Sequence, residues 1–75
     1  MPEEIHLGVN DEYMTLGQLL KLIGLISTGG QAKWFLEENT VFVNKQPETR
    51  RGKKLTLGDE VNIVGHGSYV ISKPF

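Results

Sequence analysis

The chain has 75 residues, 39% of them hydrophobic, no cysteine and a net charge of −1. This length suits a single domain spanning residues 1–75, and neither disulfides nor thiolate metal sites can stabilise it. The apolar runs are a few residues long, far short of the roughly 20 that cross a membrane, and the acidic start lacks a signal-peptide pattern. We therefore expect a cytoplasmic monomer without membrane contact.

The charges are unevenly distributed along the chain. The first twelve residues carry four acidic side chains and no basic one. Five of the eight basic residues instead lie within ten positions, namely Lys45, Arg50, Arg51, Lys53 and Lys54. Because binding responds to the local field, a net charge near zero does not exclude a nucleic-acid partner.

The first predicted helix begins at Thr15. Thr15 and Gln18 have the spacing of a capping box, in which each side chain bonds the backbone of the other. Apolar residues then recur at helical spacing, at Leu16, Leu19, Leu20, Ile23 and Ile26. This pattern predicts an amphipathic helix with one apolar face.

A second helix is predicted after only a couple of residues, because Thr28 and Gln31 repeat the capping-box spacing. Gly29 and Gly30 in its first turn have two interpretations. They either let a phosphate approach the exposed amides at the helix start or let the two helices pack closely. The helix is expected to end at Asn39.

Trp34 lies away from the apolar face of this second helix, which Ala32, Phe35 and Leu36 form. Two interpretations remain open. The indole stacks on an unpaired base with Lys33 holding a nearby phosphate, or the N-terminal segment IHLGV covers it.

Beyond Asn39 the apolar residues alternate, as in β-strands. Val41 and Val43 lead into a predicted hairpin turn at Asn44-Lys45, and Pro47 suits an edge strand or a turn. Further strands are expected before and after a Gly58-Asp59 turn, in SYVIS and in IHLGV. The fold class is therefore α+β, with two short packed helices followed by a small, mainly antiparallel sheet.

The segment at residues 50–54, here called the basic loop, reads Arg-Arg-Gly-Lys-Lys. Four like charges in five positions repel one another, and a polyanion relieves that repulsion. The alternative is a solvated loop that only aids solubility. Together with the second helix start, the basic loop predicts a surface that contacts several phosphates.

These residues resemble the S4 RNA-binding domain over about positions 14–64. The shared features are two short helices, the Thr28–Ala32 corner, the Val41–Asn44 strand and turn, and a closing L-x-x-G-D-x-V-x-I at 55–63. The details are similar to small free-standing bacterial S4 proteins of the YaaA type. The resemblance implies the S4-like (alpha-L) fold, binding of structured RNA, in particular ribosomal RNA, and a role in ribosome maturation or association.

Carried over by position, the resemblance implies a set of RNA-binding residues that lie at the second helix start and in the strand-to-loop region. Trp34 joins that set as the residue toward which the contact surface shifts. The set comprises Thr28, Gly29, Gly30, Gln31, Lys33, Trp34, Asn44, Lys45, Arg50, Arg51, Lys53 and Lys54. Many S4 domains begin the first helix with Arg-Leu-Asp and have an arginine after the corner serine, where this chain has Thr15-Leu16-Gly17 and Gly29. Two basic contacts are therefore missing, which weakens the usual contact surface or shifts it toward Trp34 and the basic loop.

The sequence gives no sign of an enzyme. It lacks metal-ligand spacing around His6 and His66, a nucleophile grouping and a P-loop, so no catalytic residue, metal, cofactor or small-molecule substrate is expected. Glu37 and Glu38 on the second helix disfavour duplex DNA. The alternative function is a protein-interaction module that docks through the acidic N-terminal segment, a sheet edge or the basic loop.

Overall fold

The computed structural model describes residues 2–73, over which the chain forms two α-helices and seven short β-strands. In chain order they are β1 (Glu3–His6), β2 (Tyr13–Thr15), α1 (Leu16–Leu22), α2 (Gly29–Glu38), β3 (Val41–Val43), β4 (Gln46–Pro47), β5 (Lys54–Thr56), β6 (Glu60–Ile63) and β7 (Gly67–Ser72). The predicted α+β class is confirmed, although two strands also precede the helices. Neither helix in this described range has the length and hydrophobicity needed to cross a bilayer.

Helix α1 forms as predicted at its start and ends earlier than its apolar stripe suggests. The Thr15 hydroxyl accepts a hydrogen bond from the Gln18 amide, and the Gln18 side chain accepts one from the Thr15 amide. The helix stops because Gly24 adopts a positive φ of 83°. The amides of Gly24 and Leu25 then donate to the carbonyls of Lys21 and Leu20, which is the Schellman pattern of helix termination.

The connection between the helices is longer than predicted. Six residues, 23–28, separate α1 from α2, so the expectation of a two-residue corner was wrong. Ile26 is buried from this connection and does not belong to α1. Helix α2 ends at Asn39 as predicted, where the Asn39 amide and side-chain nitrogen both donate to the Phe35 carbonyl.

The main sheet has the strand order β1-β7-β6-β3-β4. Its pairs are antiparallel except for β1 and β7, which run parallel. The predicted hairpin turn is confirmed, since Asn44 and Lys45 have positive φ angles of 51° and 71°, as a type I′ turn requires. Pro47 lies on the edge strand β4, where its missing N–H leaves no ladder bond unmade.

The N-terminal strand is placed differently from the prediction. The sequence pattern suggested a strand in IHLGV, whereas β1 covers Glu3–His6 and pairs with β7 in register Ile5↔Ile71. The Leu7 amide continues this pairing by donating to the Ser72 carbonyl. The N-terminal segment is therefore used to extend the sheet.

A second, two-stranded sheet was not predicted. Strand β2 pairs antiparallel with β5 in register Met14↔Leu55, and Thr15 lies opposite Lys54. The pairing joins residues about 40 positions apart in the chain. It brings the end of the basic loop directly against the start of α1.

One hydrophobic core connects both sheets and both helices. Leu16, Leu19 and Leu20 of α1 and Leu55 of β5 are fully buried. The remaining buried core residues are Ile5, Leu7, Ile26, Ala32, Leu36, Val41, Val43, Val61, Ile63, Tyr69 and Ile71. Truncating a buried leucine to alanine typically destabilises a protein by about 2–5 kcal/mol, so this core fixes the positions of the surface segments above it.

Candidate nucleic-acid interface

The start of α2 is stabilised by hydrogen bonds to one of its own side chains. The Gln31 side-chain oxygen accepts hydrogen bonds from the amides of Ser27 (2.6 Å) and Thr28 (3.1 Å). Gly29 and Gly30 are exposed, and their amides belong to the first turn, where a helix offers no internal acceptor. No acidic residue lies in this turn. The positive end of the helix dipole is thus open to solvent and suited to an anion.

The basic loop is ordered by the acidic residue just before it. One Glu48 oxygen accepts from the amides of Thr49 (3.1 Å) and Arg50 (3.0 Å), and the carboxylate also pairs with the Arg50 guanidinium at 3.0 and 3.2 Å. These hydrogen bonds, led by the one from the Arg50 side chain, lower the pKa of Glu48 to about 2. Arg50, predicted as a phosphate contact, therefore has an acidic partner within the protein.

The basic loop docks onto both helix starts. The carbonyls of Lys53 and Arg51 accept hydrogen bonds from the α1 amides of Leu16 (2.8 Å) and Gly17 (2.9 Å). The Arg51 guanidinium donates to the Gly29 carbonyl at 3.0 Å. The start of α2 therefore meets the basic loop at Gly29. We call residues 28–34 and 50–54 together the helix–loop surface.

Gly17 makes this docking possible. A Cβ atom at position 17 would lie 3.3 Å from the Arg51 carbonyl oxygen and 3.7 Å from the Ala32 Cβ, so a side chain there would press the loop away. In the sequence, Gly17 was notable only because many S4 domains have a side chain at this position. The structure shows that Gly17 packs directly against the backbone of the basic loop.

A shallow pocket of about 330 Å³ lies where the loop meets the helices. Its two charged residues, Lys21 and Arg51, are both positive. Lys21 was not among the predicted site residues, because the sequence alone does not show that the α1 surface turns toward the loop. A second shallow pocket, of about 470 Å³, is lined by Arg50, Gly52, Lys53 and Lys54.

Trp34 is open to solvent, with 66% of its surface exposed. The alternative in which the N-terminal segment covers the indole was wrong, since that segment pairs with β7. Trp34 stands one helical turn beyond Gly30 on the same side of α2, and Lys33 stands one turn beyond Gly29. The indole and an exposed lysine thus continue the helix–loop surface along α2.

The Asn44-Lys45 turn contributes less to this surface than predicted. The Asn44 side chain donates to the Asp59 carboxylate and accepts from the Glu60 amide, both at 3.0 Å. Burial raises the pKa of Asp59, but the hydrogen bonds from the Thr56 amide and the Asn44 side chain outweigh it, so the pKa is lowered. Asn44 therefore holds two turns together, whereas Lys45 is exposed beside it.

Lys54, at the end of the basic loop, has a partner within the chain. Its ammonium nitrogen lies 5.0 Å from the centre of the Tyr13 ring, within the range of a cation–π contact. Lys53, in contrast, is partly exposed and lines the second pocket. Among residues 2–73, no group of three or more His, Asp or Glu side chains is arranged to hold a metal ion.

Comparison with known proteins gives one family and several relatives. The family model described as S4 domain matches residues 7–72. The chain is 51% identical over 65 residues to the "Probable ribosome maturation protein RlbA" of Bacillus subtilis (strain 168), covering 87% of this chain and 92% of that protein. It is 37% identical over 60 residues to the "Putative RNA-binding protein YbcJ" of Escherichia coli (strain K12), covering 80% and 86%. No solved structure gives a significant match.

Proposed function

The chain belongs to the S4 domain family, and we propose that it is a non-catalytic RNA-binding protein acting in ribosome maturation or in association with the ribosome. Its ligand is structured RNA, specifically ribosomal RNA, and the helix–loop surface is the contact region. The protein acts as a cytoplasmic monomer.

The observation that carries this proposal is the hydrogen bond from Arg51 to the Gly29 carbonyl. It joins two features that separately have ordinary structural explanations, an open helix start and a charged loop. A phosphate next to this contact meets the remaining N–H groups of Arg51 and the amides of Gly29 and Gly30. A guanidinium and a helix start acting together favour an anion more than either does alone.

The spread of positive charge supports a ligand with several phosphates. Lys21, Lys33, Arg51 and Lys53 lie along the two helices and the loop, and none of them forms a salt bridge in the described part of the chain. Lys53 does lie close enough to Asp59 for its charge to help lower the pKa of that carboxyl. A backbone of repeated phosphates contacts such a row and releases its counterions. Folded RNA presents repeated phosphates together with unpaired bases, which suit the exposed indole of Trp34.

The names of the relatives support the same function. The RlbA protein is named for ribosome maturation, and the YbcJ protein for RNA binding. Each aligns over most of its own length with this chain, so the shared region includes the whole helix–loop surface. We therefore assign this chain the same class of ligand.

A salt titration of binding to purified ribosomal RNA tests the proposal. With three to five phosphate contacts, the logarithm of the affinity should fall with the logarithm of salt concentration at a slope of about −2 to −4.5. A DNA duplex of matched length serves as the control and should bind more weakly at each salt concentration. Absence of RNA binding, or binding indifferent to salt, would contradict the proposal.

A further inference from the structure

A second cleft lies on the other side of α1, between this helix and the N-terminal segment. It has a volume of about 1000 Å³, and residues 10–14 form much of its wall. It shares Gln18 and Lys21 with the smaller pocket at the helix–loop surface, so the two depressions are neighbours on either side of one row of α1. No residue of the helix–loop surface lines this cleft, although the Lys54 ammonium of that surface lies 5.0 Å from the centre of the Tyr13 ring in its wall.

Two large apolar side chains in the wall of the cleft are exposed. Leu22, in the last turn of α1, is 62% exposed, and Tyr13 is 43% exposed. Single exposed apolar residues are common on protein surfaces, but two in one cleft provide a place for an apolar side chain of a partner. Met14 is half-buried beside them and connects the cleft floor to the core.

The charge of the cleft is opposite to that of the helix–loop surface. Asp11 and Glu12 are exposed in its wall, and Lys21 is its one lysine or arginine. Glu4 on the adjoining edge strand β1 is exposed and lies 3.8 Å from His6, which also lines the cleft, so it extends the acidic region. RNA phosphates are repelled here, whereas lysine and arginine side chains are attracted.

We propose that this acidic cleft docks a basic peptide segment of a partner protein. An apolar side chain of the segment packs between Tyr13 and Leu22, and flanking lysine or arginine residues pair with Asp11 and Glu12. The basic loop of a second copy of this chain is a poor occupant, because it has no large apolar side chain among its five residues. The protein thereby holds RNA on one side of α1 and a basic protein segment on the other.

Fluorescence anisotropy with a labelled ten-residue peptide tests this docking. The probe carries four lysines and two leucines among serines, and a control peptide has glutamate in place of each lysine. The intact chain should bind the lysine peptide and not the glutamate peptide. Asp11→Lys/Glu12→Lys should weaken binding at least fivefold, and Leu22→Ser at least threefold.

Two variants match these changes at sites outside the cleft. Glu37→Lys/Glu38→Lys makes the same charge change on α2, and Leu57→Ser removes a leucine that is 59% exposed elsewhere. Both should bind the peptide within twofold of the parent. Equal weakening by the two charge reversals would overturn the proposal, because it would show attraction by net charge alone, and absence of peptide binding by the intact chain would also overturn it.

Two further measurements keep this test separate from folding and from RNA binding. Thermal melts check that each variant is folded, and the milder Asp11→Asn/Glu12→Gln should still weaken peptide binding two- to threefold. Ribosomal RNA binding by Asp11→Lys/Glu12→Lys should be retained. Loss of peptide affinity with retained RNA affinity supports the cleft, whereas retained peptide affinity in this variant would overturn it.

Discussion

The two helices of this protein begin with the same sequence pattern and use it differently. Both have Thr-x-x-Gln at the cap and a glycine at the second helical position, Gly17 in α1 and Gly30 in α2. In α1 the first amides are bonded by the carbonyls of the basic loop. In α2 the corresponding amides face solvent beside the guanidinium of Arg51.

The comparison shows that a helix start becomes an anchor or a binding site according to what folds against it. The loop carbonyls satisfy the first amides of α1, and the Arg51 side chain is directed toward α2. The glycine in α1 is needed for close packing, whereas the glycines in α2 leave open space. A capping motif read from sequence therefore locates a helix start without saying which of these roles it has.

The largest expected effect is a difference in stability between variants of the two glycines. Gly17→Val should lower the free energy of unfolding by about 1–3 kcal/mol, because the new side chain presses on the Arg51 carbonyl. Gly30→Val should change it by about 0.5 kcal/mol or less, since a Cβ there would meet only the Thr28 hydroxyl oxygen, at an ordinary contact distance of 4.0 Å. Both sites are second helical positions, so the change in helix propensity cancels in a comparison by urea unfolding.

The same two variants also test whether the two helix starts differ in RNA binding. Gly30→Val should weaken ribosomal RNA binding at least threefold although the fold is intact, because the side chain keeps a phosphate from the helix amides. Equal destabilisation by the two substitutions would contradict the different packing of the two helix starts. Unchanged RNA affinity in Gly30→Val would contradict the proposal that the open start of α2 binds a phosphate.

The next largest expected effect is a difference in RNA affinity between variants of two adjacent arginines. Arg51→Ala should reduce affinity for ribosomal RNA about tenfold at low salt, because it removes the charge beside the α2 start. Arg50→Ala should reduce it about threefold or less, since Glu48 already pairs with Arg50. Affinities measured across a salt series would show a flatter slope for Arg51→Ala, and equal losses for the two variants would show that the Glu48 pair does not limit Arg50.

A comparable or smaller effect is expected at the indole. Trp34→Ala should weaken ribosomal RNA binding about three- to tenfold through lost stacking, while Trp34→Phe should retain most of the affinity. Neither change should alter the free energy of unfolding by more than about 0.5 kcal/mol, because Trp34 is mostly exposed. Anisotropy and thermal melts check both statements, and a large loss of stability would show that the indole is packed.

The smallest effect concerns acid stability. The pKa of Glu48 is lowered from 4.5 to about 2 in the folded chain, so its stabilising contribution is complete above about pH 4.5 and is lost as the pH falls toward 2. Because Arg50 is largely exposed, we expect this contribution to be about 1 kcal/mol or less. Glu48→Gln should therefore be less stable than the parent at pH 7 and nearly equal to it at pH 2, as measured by urea unfolding.

Local signals in the sequence predicted much of the fold. The cap at Thr15, the helix end at Asn39, the Asn44-Lys45 turn and the edge position of Pro47 each depend on neighbouring residues, and each is confirmed. The pairing of β2 with β5 was missed because each strand has three residues and the partners are distant in the chain. The apolar stripe also masked the helix end at Gly24.

The candidate site was predicted in outline and not in detail. Periodicity placed Trp34 off the apolar face but did not show whether anything covers it. Charge counting grouped Arg50 with Arg51, whereas folding pairs Arg50 with Glu48 and directs Arg51 to Gly29. Such differences depend on side-chain directions and on which backbone groups meet, and residue type and spacing do not carry that information.

Amide chemical shifts recorded during a titration with ribosomal RNA show whether α2 and the basic loop bind RNA as one surface. Gly29, Gly30 and residues 51–54 should shift together with the Trp34 indole and saturate at one RNA concentration, while Gly17 should shift less than Gly30. Shifts concentrated at residues 3–12, or separate saturation of α2 and the basic loop, would contradict a single helix–loop surface for RNA.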